Sequence, residues 1–147
     1  MIDIRENILK RLMEIAASIP NVRSAKRNLV DLPEDILPAA NIRDGDEESN
    51  GLNDIGSSHP PNRDYTVQMT PEIEISEQSD EVGSDIGTLR RELIKRVLTD
   101  AALVGSVGTN GAIRYLGCQT DIYAGRTYVA VLSAQFVFKY VLKIEEL

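Results

Sequence analysis

The chain has 147 residues, 42% of them hydrophobic, which is the size of one ordinary domain with a single core. Its formal net charge of −7 argues against a protein whose main task is to grip phosphates, because that task needs lysine and arginine gathered on one face. Cys118 is the only cysteine, which excludes an internal disulfide and a zinc site made of the chain's own cysteines, and favours a cytosolic origin.

The first predicted element is an amphipathic helix over residues 3–19, with isoleucine and leucine recurring at helical spacing. Asp3 is the predicted N-cap, and Pro20 ends the helix. The same N-terminus is charged where a signal peptide would be apolar, and the sequence has no run of 18 apolar residues. We therefore expect a soluble protein that is not secreted by the usual route and has no membrane partner.

Short strands and a long polar loop follow the first helix. The segment NVRSAKRNLV, residues 21–30, predicts a short edge strand, and PAANIRDG, residues 38–45, predicts a short strand that runs into a turn. Residues 44–63 are rich in Gly, Ser, Asn, Asp and Pro, so they predict one extended flexible loop. A loop of this length is uncommon in a compact domain without a functional reason.

The second half of the chain alternates in a pattern typical of strands around one further helix. A strand is predicted over 64–76, with Pro71 marking an edge or a bulge. A helix is predicted from Ser84 or Asp85 to Leu103, and a strand from Ala112 to Tyr123. AGR, residues 124–126, predicts a hairpin loop to a long terminal strand that alternates from Tyr128 onward.

These elements predict a single α+β domain over residues 1–147, in which two helices cover one face of a mostly antiparallel or mixed sheet. The expected core consists of residues from both helices and from the apolar face of the last strand: Ile8, Leu12, Ile15, Leu89, Leu93, Val97, Leu132, Phe136 and Phe138.

Residue types that carry chemistry are few, and no catalytic, cofactor or metal site is predicted. His59 is the only histidine and stands in the polar loop. The glycines of GSVGTNG, residues 105–111, follow a helix and precede a strand, which is the wrong order for a phosphate-binding loop. DGDEES, residues 44–49, begins like a calcium-binding loop, but Ser49 and Ile55 replace the required Gly and Glu. We do not expect an enzyme.

The terminal strand points instead to assembly. Its second face is half apolar, with Val129, Val131, Val137 and Val141 between polar residues, and this is too apolar for a freely solvated surface. We therefore predict a homo-oligomer with a subunit interface at Val129, Val131, Val137, Lys139, Asp44, Asp46, Glu47 and Glu48. The alternative is that the helices cover one face of the sheet and the polar loop folds over the other.

In its order of elements, nearly the whole chain resembles the tail terminator, or tail completion, proteins of long-tailed bacteriophages. The segments that carry the resemblance are IRENILKRL, LPAANIRDGDE, YTVQMTPEIEI, LRRELIKRVLTD and GRTYVAVLSAQFVFKYVL. The resemblance implies a virion protein, assembled in the host cytoplasm as a hexameric ring at the head-proximal end of the tail. Its implied partners are the tail tube protein, whose polymerisation it stops, and the head–tail connector proteins.

Genomic DNA would pass through the lumen of such a ring without specific binding, and an acidic chain suits this because it repels phosphates. Two alternatives remain open from the sequence. One is another head–tail connector or neck protein of a phage. The other is a ligand-binding module of the ferredoxin-like kind, in which the GSVGTNG turn and the sheet hold a small molecule.

Overall fold

A computed structural model describes residues 3–28, 37–52, 64–123 and 129–147. The described residues form a mixed sheet of seven strands packed against three helices, which confirms the α+β class. The elements in chain order are α1 (Ile4–Ser18), β1 (Ser24–Arg27), β2 (Ala39–Arg43), β3 (Glu47–Leu52), β4 (Asp64–Met69), β5 (Glu72–Gln78), α2 (Val82–Leu98), α3 (Ala101–Val107), β6 (Ala112–Tyr123) and β7 (Val129–Lys143), followed by a short 3-10 helix (Ile144–Glu146).

The long terminal strand β7 lies inside the sheet and pairs with three other strands, β4, β5 and β6. β6 pairs antiparallel along one of its edges, and β4 and β5 share the other edge. Met69 lies opposite Phe138 and Glu72 opposite Gln135, so β4 and β5 keep one register although Pro71 interrupts them. The carbonyl of Pro71 still accepts a hydrogen bond of 3.3 Å from Phe136 N. The prediction of one strand over 64–76 with an edge or a bulge at Pro71 is therefore wrong, because the chain divides there into two inner strands that keep one register.

β2 lies beside β5 and β3 beside β4, on the sides away from β7, and β1 lies outside β2. β2 pairs antiparallel with β5 and β3 with β4, whereas β1 pairs parallel with β2. Gly45, at φ +69°, makes the connection between β2 and β3 possible, because a Cβ there would lie 2.0 Å from the carbonyl oxygen of Thr70. Thr70 N also donates a 3.0 Å hydrogen bond to the carbonyl of Asp46.

All three helices pack on one face of the sheet, and the core lies between them. Asp3 accepts a 3.0 Å hydrogen bond from Glu6 N, which confirms it as the N-cap of α1. The nine residues expected in the core are all buried in one apolar cluster, which also contains Ile73, Ile75 and Tyr140. The helical and alternating patterns therefore assign the inward faces correctly.

The second helix differs from the prediction because the chain breaks it in two. α2 ends at Leu98, and Asp100 adopts an extended backbone and caps α3, with its carboxylate accepting a 3.0 Å hydrogen bond from Leu103 N. The same carboxylate is bound by Arg11 of α1, with Nε and Nη2 at 2.9 and 2.6 Å. The predicted continuous helix to Leu103 is thus wrong, since a cap and an ion pair compete with helix continuation at Asp100.

The prediction of one flexible loop over residues 44–63 is wrong for its first part. Residues Glu47–Leu52 form β3, whose backbone pairs with β4 from Glu47 opposite Met69 to Leu52 opposite Tyr65. A polar composition does not prevent strand formation when a neighbouring strand supplies hydrogen-bond partners. Residues 53–63 lie outside the described residues, as do the hairpin loop predicted at 124–126 and Tyr128.

Candidate functional site

The sheet face that turns away from the helices is called the open face here. It carries the odd-numbered residues of β7 from Val129 to Lys143, with their cross-strand neighbours. Among the residues of the predicted interface, Val129, Val131, Val137, Lys139 and Glu48 share this face. Val129 and Val131 are half-buried, whereas Lys139 and Glu48 are exposed. In the described part of the chain, the buried core cluster and the helices lie on the other side of the sheet.

Val137 does not fit the interface that the alternation predicts. Its exposed fraction is 6%, although it lies outside the core cluster. Long side chains surround it, since Arg114 is its cross-strand partner on β6 and Gln135 and Lys139 precede and follow it on the same face. The subunit itself therefore covers Val137, so a partner could contact only the other open-face valines of β7.

Asp44 is engaged inside the subunit rather than offered to a neighbour. Arg27 of β1 donates to both of its carboxylate oxygens, at 3.0 and 2.9 Å, and to both oxygens of Glu6 on α1, at 2.6 and 3.2 Å. The hydrogen bonds from Arg27 hold the pKa values of Asp44 and Glu6 below their usual range. Asn28 completes the site, because its side-chain oxygen accepts a 3.1 Å hydrogen bond from Asp44 N.

The other acidic residues of the predicted interface separate into three environments. Glu47 lies on the helix side of β3 and accepts a hydrogen bond from the buried hydroxyl of Tyr140. Burial, followed by this hydrogen bond, raises the pKa of Tyr140 above its usual range. Asp46 is exposed and contributes its backbone carbonyl to the β2–β3 connection, while Glu48 points to the open face. The structure thus does not gather the four acidic residues into one patch.

Two opposite edges of the sheet have no strand partner among the described residues. One is the outer edge of β6, called the β6 edge, which spans Ala112–Tyr123. The other, called the β1–β3 edge, consists of β1 and, further along, β3. An unpaired edge presents a row of backbone N–H and C=O groups to any strand that approaches. Both edges are therefore candidate binding surfaces.

Apart from Glu48, the interface predicted from the sequence did not include the charged residues of these edges. Lys26 on β1 and Arg114 and Asp121 on β6 are exposed, and none forms an ion pair with another described residue. Their common face follows from the strand register, which alternation within each strand does not reveal. A signal existed only for β6, where one positive and one negative charge interrupt an otherwise uncharged strand.

Two open pockets formed by the described residues are candidate small-molecule sites. One, of about 350 Å³, lies between the end of α1 and the start of α2, and Glu77 and Asp85 line it. Burial raises the pKa of Glu77 there. The other, of about 340 Å³, is formed by the turn at Gly108, Thr109 and Asn110 together with Lys143.

The described residues contain no group of three His, Cys, Asp or Glu that could hold a metal ion. Cys118 is half-buried and packs against the core cluster, and its Sγ lies 3.9 Å from the carbonyl oxygen of Gln119 and 4.0 Å from Thr120 Oγ1. His59 lies outside the described residues. In the part of the chain that is described, none of the helices has the length and apolar character needed to cross a membrane.

Comparison with known proteins adds no relative, since no family model and no curated protein matches this chain.

Proposed function

We propose that this chain is a structural virion protein of a long-tailed phage, a tail terminator that assembles as a hexameric ring on the head-proximal end of the tail tube. The ring stops polymerisation of the tube protein and offers its other side to the head–tail connector. The proposal rests on the sequence resemblance, and one structural observation supports it best. The described sheet leaves one face without helices and both lateral edges without strands.

A subunit with two different free edges suits a closed ring. In a ring each subunit uses two distinct patches, and rotation closes the set of contacts. The β6 edge and the β1–β3 edge are two such patches on opposite sides of one sheet. In an isolated subunit the described strands would leave both edges open to uncontrolled association, whereas a ring would pair each edge with a neighbour.

The charge of the chain suits a ring through which DNA slides. The whole chain carries a net charge of −7, and even the open face mixes acidic residues such as Glu48, Glu72 and Asp121 with basic residues such as Arg43 and Lys139. Such a surface gives DNA no row of lysine and arginine to bind. Genomic DNA would therefore pass such a ring without being held.

Mass photometry of the purified full chain tests the assembly first. A hexamer would appear at about 97 kDa, six times the 16.2 kDa of the chain, and negative-stain images should show rings. The function is then tested in the phage that encodes the chain. Removal of the gene should give tails of uncontrolled length that do not join heads, and supply of the protein from a plasmid should restore normal tails. Normal tails without the protein would contradict the proposal.

A small-molecule binding module is the second candidate, and the pocket at the Gly108–Asn110 turn favours it. Lys143 and Asp64 bring opposite charges to this pocket, and Val141 gives it an apolar wall. Native mass spectrometry of the protein as purified from cells distinguishes the candidates. A monomer that carries a bound small molecule supports the module, and that molecule should be lost in Thr109→Trp, which fills the pocket.

A further inference from the structure

β6 has the properties of a strand that is meant to be paired. It is 12 residues long and contains neither lysine nor proline, two residues that often protect an edge, although it does contain a bulge. Three of the seven large hydrophobic residues exposed in the described part of the chain lie on it: Leu116, Ile122 and Tyr123. A long and partly apolar edge of this kind associates with another strand unless something covers it.

The directions of the strands show which edge of a second copy could pair with β6. β6 and the β4–β5 track run antiparallel to β7, whereas β1, β2 and β3 run in the same direction as β7. β6 is therefore antiparallel to the strands of the β1–β3 edge. When two copies stand side by side in the same orientation, as neighbours in a ring do, these two edges meet as an antiparallel pair.

Charged residues on the two edges match in sign and in spacing. On β6, Asp121 lies opposite Val131 and Arg114 opposite Val137. On the other edge, Lys26 lies in the same cross-strand row as Ser133 of β7, because Lys26 pairs with Asn41, Asn41 with Glu74 and Glu74 with Ser133. Glu48 lies in the row of Lys139, because Glu48 pairs with Gln68 and Gln68 with Lys139. The two charged residues on each edge are therefore separated by six residues of β7, from 131 to 137 on the β6 edge and from 133 to 139 on the β1–β3 edge. All four side chains point to the open face and are exposed.

We propose that the β6 edge of one copy docks against the β1–β3 edge of the next, shifted by two residues, so that Asp121 meets Lys26 and Arg114 meets Glu48. This inference rests on the proposed ring and names its subunit contact. Opposite charges on neighbouring strands stabilise a sheet, and their pattern fixes the register. Asp121 would face Lys26 directly, whereas Arg114 would reach Glu48 over a greater distance, because β3 lies one strand further in than β1. With the shift, both charge pairs form together, and the sheets of successive copies join into one.

The bulge of β6 matches a step in the opposite edge. β1 lies one strand further out than β3, which leaves a step of about 4.8 Å, the distance between neighbouring strands. Leu116 is the extra residue of the bulge, between Tyr115 and Gly117. With the two-residue shift, the bulge falls between the end of β1 and the start of β3. A bulge bends a strand, so the exposed Leu116 would fill the step, and the long side chains of Arg114 and Glu48 would reach across it.

Charge reversal with rescue tests the contact. Arg114→Glu alone and Glu48→Arg alone should each weaken association of the full chain by about tenfold or more, because each places like charges together. The double variant should recover most of the loss. Asp121→Lys and Lys26→Asp should behave in the same way as a second pair. Sedimentation velocity at low salt over a range of concentrations gives the association constants, and circular dichroism verifies that each variant folds.

Arg90→Glu is the matched control, because Arg90 is exposed on α2, on the side of the sheet opposite the four charged residues, and should leave association unchanged. Rescue of Arg114→Glu by Asp121→Lys, and not by Glu48→Arg, would mean that two β6 edges pair about a twofold axis and would overturn the inference. Ring formation that is unchanged in all four charge-reversal variants would overturn the inference as well, but not the proposed function. Rings that weaken and recover as expected in the variants, but do not cap tail tubes, would overturn the proposed function alone. A wild-type chain that stays monomeric would overturn both.

Discussion

Arg27 shows how one side chain can hold three elements together. It lies on β1 and joins α1 through Glu6 and the end of β2 through Asp44, with all three side chains about a quarter to a third exposed. Arg27→Ala should lower the free energy of unfolding by about 1 to 2 kcal/mol, since it removes several charge-assisted hydrogen bonds at a partly solvated site. Urea denaturation measures this, and Arg91→Ala, on the exposed side of α2, is the control expected to change little.

The same cluster predicts a dependence on pH. The pKa values of Asp44 and Glu6 are lowered in the folded chain by their hydrogen bonds to Arg27. A carboxyl group with a lowered pKa stabilises the fold above its unfolded pKa, about 4 for these groups, and this stabilisation is lost as the pH falls through the folded value. The difference in stability between wild type and Arg27→Ala should therefore be full at pH 6 and shrink below pH 4. A difference that stays constant down to pH 3 would contradict the role given to the two carboxylates.

Phe136 tests the assignment of the inward face of β7. Its ring is fully buried and packs 5.5 Å, between ring centroids, from the ring of Tyr115 on β6. Phe136→Ala should cost about 3 to 5 kcal/mol, because the substitution removes apolar contacts and leaves a cavity. Leu116→Ala on β6 should change stability by less than about 0.5 kcal/mol in the monomer, because that side chain is exposed. Thermal and urea unfolding of the two variants give the comparison.

At the scale of the elements, two glycines should respond in opposite ways to the same substitution. Gly45→Ala should destabilise the chain by about 2 kcal/mol or more, because the backbone is left-handed and the new Cβ would collide with Thr70 O. Gly87→Ala should stabilise it by about 0.5 to 1 kcal/mol, since Gly87 lies inside α2 with nothing within 4 Å of the added carbon. Melting temperatures in opposite directions from wild type are the expected result. Equal shifts would mean that the β2–β3 connection adapts to a side chain.

The elements also show which local signals suffice for prediction. α1 follows from its apolar period together with a single cap, Asp3, and nothing along its length competes with them. The break at Asp100 combines a local cap, the hydrogen bond from Leu103 N, with an ion pair to Arg11. Arg11 is 89 residues away, so the sequence around Asp100 does not reveal this second partner. β3 is likewise invisible in its own polar composition, because its strand state depends on β4.

For the whole molecule, the alternation of β7 predicts the core correctly but says little about the open face. Which open-face residues are exposed depends on the neighbouring strands, as Val137 shows, and those neighbours follow from the register of the sheet. The candidate contact between copies has the same origin. Lys26 and Arg114 belong to strands at opposite sides of the sheet, and they become related only when the sheet of a second copy continues the first.

Two open-face valines of β7, Val131 and Val137, should therefore respond differently to the same substitution. Val131→Asp should leave the subunit folded, because this side chain is half-buried on the open face, but it should weaken ring formation if a neighbouring copy covers that face. Val137→Asp should lower the free energy of unfolding by about 1 to 3 kcal/mol, because the subunit itself buries this position and the carboxylate loses hydration that the neighbouring Arg114 and Lys139 replace only in part. Circular dichroism and mass photometry on the same samples separate folding from assembly. Intact rings from Val131→Asp would show that the open face of β7 lies outside the contact between copies.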